Sequence, residues 1–164
     1  MVSPCMADDP GLRSLVDAMT AELIPVYELP PDVQPAPLAP EARYLLARTN
    51  DQVVGCCAVQ PVGPEICELK RMFVSPAVRG RGVADMLLAE AEQLALGLGG
   101  RSMLLETGVR QPAAMRLYER AGYRRIPNYP PHEQDPLSVC YEKALPARSS
   151  QVAAGEQEAQ GARC

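Results

Sequence analysis

Tryptophan is absent from the chain and phenylalanine occurs once, at position 73. A core stacked from large aromatic rings is thereby excluded, and Leu, Val, Ala and Met must fill most of the interior. No apolar run approaches the roughly eighteen residues that a membrane-spanning helix requires. The N-terminus reaches Asp8 and Asp9 with neither a basic region nor a hydrophobic stretch, so no targeting segment is expected and the chain reads as soluble and cytoplasmic. Histidine occurs once, at 132, and the six cysteines at 5, 56, 57, 67, 140 and 164 form no Cys-x-x-Cys pair. Nothing has zinc-site spacing, and no metal is expected. An excess of positive charge is missing too. Lys+Arg 16 against Asp+Glu 20 gives a net charge of -4 and a pI near 5.1, which argues against a nucleic-acid partner.

What is present suffices for one domain, since a chain of 164 residues can bury roughly two-thirds of its unfolded surface. The basic residues cluster: Lys70, Arg71, Arg79 and Arg81 fall within twelve positions, which suits a compact polyanionic ligand better than a polymer. Cys56 and Cys57 are neighbours in a strand-like run and point to opposite faces, while Cys67 and Cys140 also lie in apolar runs. Buried free thiols and a reducing compartment are expected.

Taken in order, residues 1–10 form a short Pro-containing segment expected to be flexible, with a brief edge strand over Val2 to Met6 as the alternative. Leu12, Leu15, Val16, Met19 and Leu23 have helical spacing and predict a helix from Gly11 to Tyr27, bent or ended by Pro25. Leu29 to Pro40 is too proline-rich for helix or inner strand and is either a connector or a wall of a binding pocket. A hairpin comes next, Arg43 to Arg48 and Val53 to Val62, turning at Asn50-Asp51. Glu65 to Val74 reads as a third strand with mixed alternation. Val83 to Leu98 has one apolar helical face and stops at Gly99-Gly100. Ser102 to Glu106 is a short strand, a second helix starts near Pro112 and ends at Gly122, and Tyr123 to Ile126 and Leu137 to Lys143 close the fold around the loop Pro127 to Pro136. Residues 146–164 carry too little apolar surface to offset their ordering entropy and are expected to be a disordered tail.

Between the third strand and the helix at Val83 stands Arg79-Gly80-Arg81-Gly82-Val83-Ala84. Two glycines admit a close ligand, and the first N–H groups of a helix all point one way, so an anion belongs there. A Walker loop needs Gly-Lys-Ser/Thr, which does not occur. A dinucleotide fingerprint needs a third Gly where Asp85 stands. Arg-x-x-Gly-x-Ala, filled by Arg79, Gly82 and Ala84, resembles the coenzyme A pyrophosphate loop of the GNAT acetyltransferase superfamily. A second stretch, Gln111-Pro112-Ala113-Ala114-Met115-Arg116-Leu117-Tyr118 and then Gly122-Tyr123, resembles that family's Asn-x-x-Ala-x-x-Leu-Tyr and Gly-Phe, with Gln111 where Asn is usual. The two stand at the family's usual separation. Glu68-Leu69-Lys70-Arg71-Met72-Phe73-Val74 and Leu105-Glu106-Thr107-Gly108 look like the flanks of small stand-alone bacterial members.

The resemblance implies an α/β fold of residues 11–145 with a mixed, mostly antiparallel central sheet flanked by helices and splayed at the acyl-CoA cleft. It implies acetyl-CoA as co-substrate and an amine of a small molecule or protein as acceptor, attacked directly in a ternary complex. Met72, Phe73 and Val74 then offer a strand edge to the pantetheine arm, N–H groups from Arg79 through Gly80, Arg81, Gly82 and Val83 to Ala84 hold the pyrophosphate, and Gln111 makes the family's amide contact from a longer arm. Tyr118 is the implied general acid beside the thioester sulfur, able to serve because a phenol stays protonated at neutral pH. An amine of pKa ~10.4 is neutral only about one part in 10³ at pH 7, so a base is useful; Glu106 and Glu68 are the candidates. A catalytically inactive acetyl-CoA sensor or scaffold is the rival reading, transfer of a longer acyl group a third, and pairing of exposed strand edges into a homodimer is open.

Overall fold

A computed structural model describes residues 1–146. Its elements are β1 (Val2–Cys5), α1 (Pro10–Tyr27), β2 (Arg43–Thr49), β3 (Gln52–Gly63), β4 (Ile66–Val74), a 3-10 turn (Pro76–Val78), α2 (Val83–Gly97), β5 (Ser102–Gly108), α3 (Pro112–Arg120), β6 (Arg124–Ile126) and β7 (Ser138–Ala144). The strands make one seven-stranded sheet in the order β1-β2-β3-β4-β5-β7-β6. Only β4 and β5 run parallel; every other neighbouring pair is antiparallel. This is the mixed, mostly antiparallel sheet with flanking helices that the motifs imply.

Local chemistry explains the elements. The Asp9 carboxylate accepts from the Gly11 and Leu12 N–H groups at 2.7 and 3.3 Å, and Pro10 begins α1 with its ring already at helical φ. Leu12, Leu15 and Val16 of α1 pack with Tyr44, Leu46, Cys56, Ala58 and Phe73 against one face of the sheet. Val83, Leu87, Leu88, Ala91 and Ala95 of α2 pack with Leu45, Cys57 and Leu69 in a second cluster. Each buried Leu contributes roughly 1.5–3 kcal/mol. Cys56 and Cys57 therefore belong to different clusters, and Cys5, Cys56, Cys57, Cys67 and Cys140 are all free thiols. Asn50 and Asp51 both take positive φ, 47° and 62°, as a two-residue hairpin turn requires.

Two irregularities shape the middle of the sheet. The first is a splay: β4 and β5 pair only from Ile66 with Ser102 to Leu69 with Leu105, after which β4 continues to Val74 and β5 to Gly108 apart from each other. The second is a bulge in β4. Cys56 faces Phe73 and Ala58 faces Lys70, so three steps on β4 oppose two on β3, and Arg71 adopts a φ of 57°. The bulge reverses the facing of the strand's end. Cys67 and Leu69 belong to the α2 cluster, where plain alternation would also send Phe73, yet Phe73 packs with α1 and Val74 with α2. The mixed alternation of this segment has that cause.

The N-terminus corrects the expectation of a flexible segment. Val2–Cys5 is strand β1, paired with β2, and Met1 is fastened to Arg48 by a carbonyl-to-N–H bond of 2.8 Å and an ammonium-to-carbonyl bond of 3.0 Å. β2 supplies an unpaired edge that these residues satisfy, so the alternative of a brief edge strand over Val2 to Met6 is the one that holds. α1 continues two residues past Pro25, and Glu28 closes it at a φ of 53°. The tail expected from 146 onward lies outside the described residues beyond Pro146. Among the described residues no helix is long and apolar enough to cross a membrane.

Candidate active site

The turn between β4 and α2 is built from main-chain donors. Gly80 and Gly82 have φ of 74° and 78°, and a Cβ on either would meet nothing within 4 Å. Glycine is required there by conformation, not by lack of room. The first bond of α2 runs from the Met86 N–H to the Gly82 carbonyl, 3.0 Å. Among the described residues, the N–H groups of Gly80, Arg81, Gly82, Val83, Ala84 and Asp85 donate to nothing within the chain. The Arg79 N–H is taken by the Pro76 carbonyl at 3.3 Å. The donor run thus begins one residue later than expected and extends to Asp85, with the positive end of the α2 dipole behind it.

The Arg79 side chain also departs from expectation. It does not present free charge at the mouth: its guanidinium holds the Glu22 carboxylate of α1 at 2.7 and 2.9 Å, donates from Nε to the Val74 carbonyl at 2.9 Å, and lies 5.6 Å from the Phe73 ring centroid. Arg79 ties α1 to the turn. One carbonyl of the expected Met72 to Val74 edge is therefore already engaged. Arg81 is exposed.

Where β4 and β5 part, two adjoining cavities open. One, of about 630 Å³, is walled by Phe73, Val74, Gly80, Gly82 and Ala84 among others. The other, of about 430 Å³, is walled by Tyr27, Arg71, Glu106, Tyr118, Asp135 and Ser138 among others. They share Met72 and Gln111. Gln111 is locked: its side-chain oxygen accepts from the Tyr27 hydroxyl and the Gly108 N–H, both at 3.3 Å. The Tyr27 phenol fills the space that a side chain at Gly108 would occupy.

Tyr118 is buried in the smaller cavity's wall, with its ring 5.8 Å from that of Tyr123 and 6.2 Å from that of Tyr141. Its hydroxyl has no hydrogen-bond partner among the described residues. Burial, then the proximity of Cys57 and Glu106, pushes its pKa above the ordinary phenol value and keeps the proton on it.

The two candidate bases part company. Glu106 walls the smaller cavity and accepts from the Ser138 hydroxyl at 2.8 Å. Burial raises its pKa above the usual carboxylate value, Asp135 and Glu68 add to that rise, and the Ser138 bond and His132 oppose it. Glu68 walls neither cavity. Its carboxylate accepts from the Tyr129 hydroxyl at 3.3 Å and lies 3.7 Å from the Lys70 ammonium.

Sequence reasoning missed Tyr27 and Ser138 and did not foresee the bulge at Arg71. The Ser138 hydroxyl lies 2.8 Å from Glu106 and 3.0 Å from Asp135. A hydroxyl carries one proton, so both contacts are hydrogen bonds only when one carboxyl is itself protonated. The loop before β7 is held by the Asn128 side-chain amide, 3.1–3.3 Å from the carbonyls of His132, Asp135 and Ser138. Ser138 stands opposite Gly108 in the β5–β7 register, a pairing across a whole helix and strand that no local signal announces. Of the proline-rich loop only Leu29 reaches a cavity wall, although Arg71 bonds the Ala36 carbonyl farther along it.

Comparison with known proteins points in one direction. A family model described as "Acetyltransferase (GNAT) family" matches residues 12–123. A protein of Azospirillum brasilense named IAA acetyltransferase is 40% identical over 108 residues, which cover 65% of this chain and 70% of that protein. Other curated relatives are matched over little more than half their length, 56% and 54% for two of them. A Klebsiella pneumoniae structure assigned to the acyl-CoA N-acyltransferases is 31% identical, with a TM-score of 0.75 over 88% of this chain and 97% of that one. A GNAT family acetyltransferase of Elizabethkingia anophelis, solved with acetyl-CoA bound, shares the fold at 20% identity and a TM-score of 0.66, over 88% of this chain and 97% of that one.

Proposed function

The chain belongs to the GNAT acetyltransferase family and is an acetyltransferase of that type, and from this premise we propose that it moves an acetyl group from acetyl-CoA to an amine by direct attack while both are bound. The observation that carries this reading is the run of unpartnered N–H groups from Gly80 to Asp85 beside an unpaired strand edge, at the larger cavity that adjoins the one walled by Tyr118 and Glu106. The residues suit the cofactor. Main-chain donors at a helix start hold a diphosphate without side-chain charge, and the β4 edge from Met72 to Val74, less the carbonyl engaged by Arg79, holds an extended amide-bearing arm as a neighbouring strand would. When bound, acetyl-CoA supplies the activated acyl carbon.

The chain's own groups manage the protons. Glu106 accepts the proton that the amine nitrogen gives up, and its raised pKa makes it a stronger base than an exposed carboxylate. Tyr118 holds a proton at its hydroxyl for the departing sulfur. Burial that raises the phenol's pKa acts on a thiolate formed beside it in the same direction, so the two remain matched. Glu68, held by Tyr129 and Lys70 away from both cavity walls, serves as a structural carboxylate. Free thiols at all five described cysteines support work in a reducing compartment, which we take to be the cytoplasm.

The test is calorimetry with acetyl-CoA and CoA, then a screen of amine classes for thiol release and acetylated product by mass spectrometry. Binding with turnover is expected. Binding without turnover of any amine would favour the sensor reading, and no heat with either compound would remove the proposal.

A further inference from the structure

Charges around the two cavities are balanced differently. Beside the larger cavity, both carboxylates and three of the four arginines are answered within the chain: Arg79 by Glu22 at 2.7 Å, Arg120 by Asp85 at 2.8 Å and Arg110 by Glu28 at 3.7 Å, while Arg116 has no carboxylate within 4.0 Å among the described residues, so the charge left unanswered there is of one sign. The smaller cavity is different. On its β4 wall, the Arg71 guanidinium donates to the Ala36 carbonyl at 2.9 Å, and among the described residues it has no carboxylate within 4.0 Å. Its neighbour Lys70 already faces Glu68. On the β5–β7 wall, Glu106 and Asp135 share the Ser138 hydroxyl at 2.8 and 3.0 Å, and neither has a cation within 4.0 Å among the described residues. One wall carries an unanswered guanidinium, and the other an unanswered acidic pair.

We propose that the acceptor is a small amino acid, an amine that bears its own carboxylate, with the ammonium drawn to the Glu106–Ser138–Asp135 wall and the carboxylate to Arg71. This rests on the acetyltransfer reading above and adds to it the charge pattern of the substrate. The cavity's size, about 430 Å³, falls at the small-molecule end of ligand sites. A planar carboxylate is the anion that a guanidinium fork matches best. An amine without a carboxylate, or a peptide N-terminus, would satisfy the acidic wall alone and gain nothing from the guanidinium, a difference that separates substrates by their charge rather than their bulk.

The experiment uses matched acceptors: several amino acids, the primary amide of each, and the amine lacking the carboxyl altogether. Thiol release gives kcat/KM for each, and calorimetry in the presence of CoA gives affinities independently of turnover. The amino acid is expected to exceed its amide at least tenfold, R71Q to bring that ratio close to one, and R71K, which keeps the charge but not the fork, to fall between. Arg71 walls only the acceptor side, so CoA binding by R71Q reports that the variant is folded; if R71Q fails to fold, R71K carries the test. Equal or better use of the amide, a ratio that survives R71Q, or no acceptor binding in either assay overturns the proposal. Failure of the underlying reading looks different: no heat with CoA and no thiol release with any acceptor.

Discussion

The two sides of the proposed site differ in material: the side assigned to the cofactor is made of backbone, and the side assigned to the acceptor is made of side chains. Six N–H groups in a row from Gly80 to Asp85 and a strand edge left bare by the splay define the first. Residues from α1, β4, β5, α3 and the segment leading into β7 meet to define the second. Backbone donors have one geometry whatever residues carry them, so under the proposed function a turn and two glycines would suffice for a ligand that many sequences share. Side chains converging from five places in the chain can be changed one at a time without disturbing the turn. The division predicts that substitutions on the two sides separate kinetically, one set acting on acyl-CoA affinity and the other on turnover and acceptor use.

The largest effect should come from Glu106. E106Q keeps the shape and can still receive the Ser138 hydroxyl, but it cannot take a proton, and turnover should fall roughly 10³-fold. Y118F should come next with a loss of roughly 10² in turnover. Steady-state kinetics with acetyl-CoA as the varied substrate checks both, with KM for acetyl-CoA expected to stay within a few-fold of wild type. A large rise in that KM would mean that the two sides are not separable.

The same division decides what could be read from sequence. The turn at Gly80 and Gly82, the hairpin at Asn50-Asp51 and the helix faces are local, and each was visible in a few consecutive residues. Three things were not. The bulge at Arg71 places a bulky residue at positive φ, which propensity disfavours and only the pairing of β4 with β3 imposes. Tyr27 meets Gln111 across 84 positions and Ser138 meets Glu106 across 32; no periodicity links residues so far apart. The choice between Glu68 and Glu106 also needed structure, because both look out from neighbouring strands and only the splay separates the one at a cavity wall from the one bound to Tyr129 and Lys70. Arg79 shows the converse. Its motif position was legible, but its partner Glu22 lies on a helix 57 positions earlier, so the side chain fastens α1 where free charge was expected.

On the backbone side, G82A probes whether conformation alone sets affinity. The residue sits at a φ of 78° with open space around it, so the methyl group meets nothing and only the left-handed backbone is penalised, by roughly 1–2 kcal/mol. If the loop relaxes to escape that strain, its N–H groups turn away from their common focus. Calorimetry should show CoA bound about tenfold more weakly, with a 1.4 kcal/mol change equal to a factor of ten. Acceptor KM should move little. An unchanged CoA affinity would show that the donors do not depend on the glycine's conformation.

The smallest effects are displacements of a pH profile, and their signs oppose. Glu106 must be ionised to accept a proton, so the rate falls as pH drops through its pKa. Burial raises that pKa, the Ser138 hydroxyl bond lowers it, and the neighbouring Asp135 charge raises it. S138A removes a lowering influence and should move the acidic limb to higher pH; D135N removes a raising one and should move the limb to lower pH. The titratable groups left facing Glu106 are Glu68 and His132, with Tyr27, Tyr118, Tyr129 and Cys140 held protonated by raised pKa values through the relevant range. Because the Ser138 hydroxyl lies within bonding distance of both carboxyls, removing Asp135 also changes the bond that Ser138 gives to Glu106. The double variant should therefore differ from the sum of the single displacements. Full pH-rate profiles of the three variants decide it: displacements of the same sign, or strict additivity, would break the link between Ser138 and the two acids.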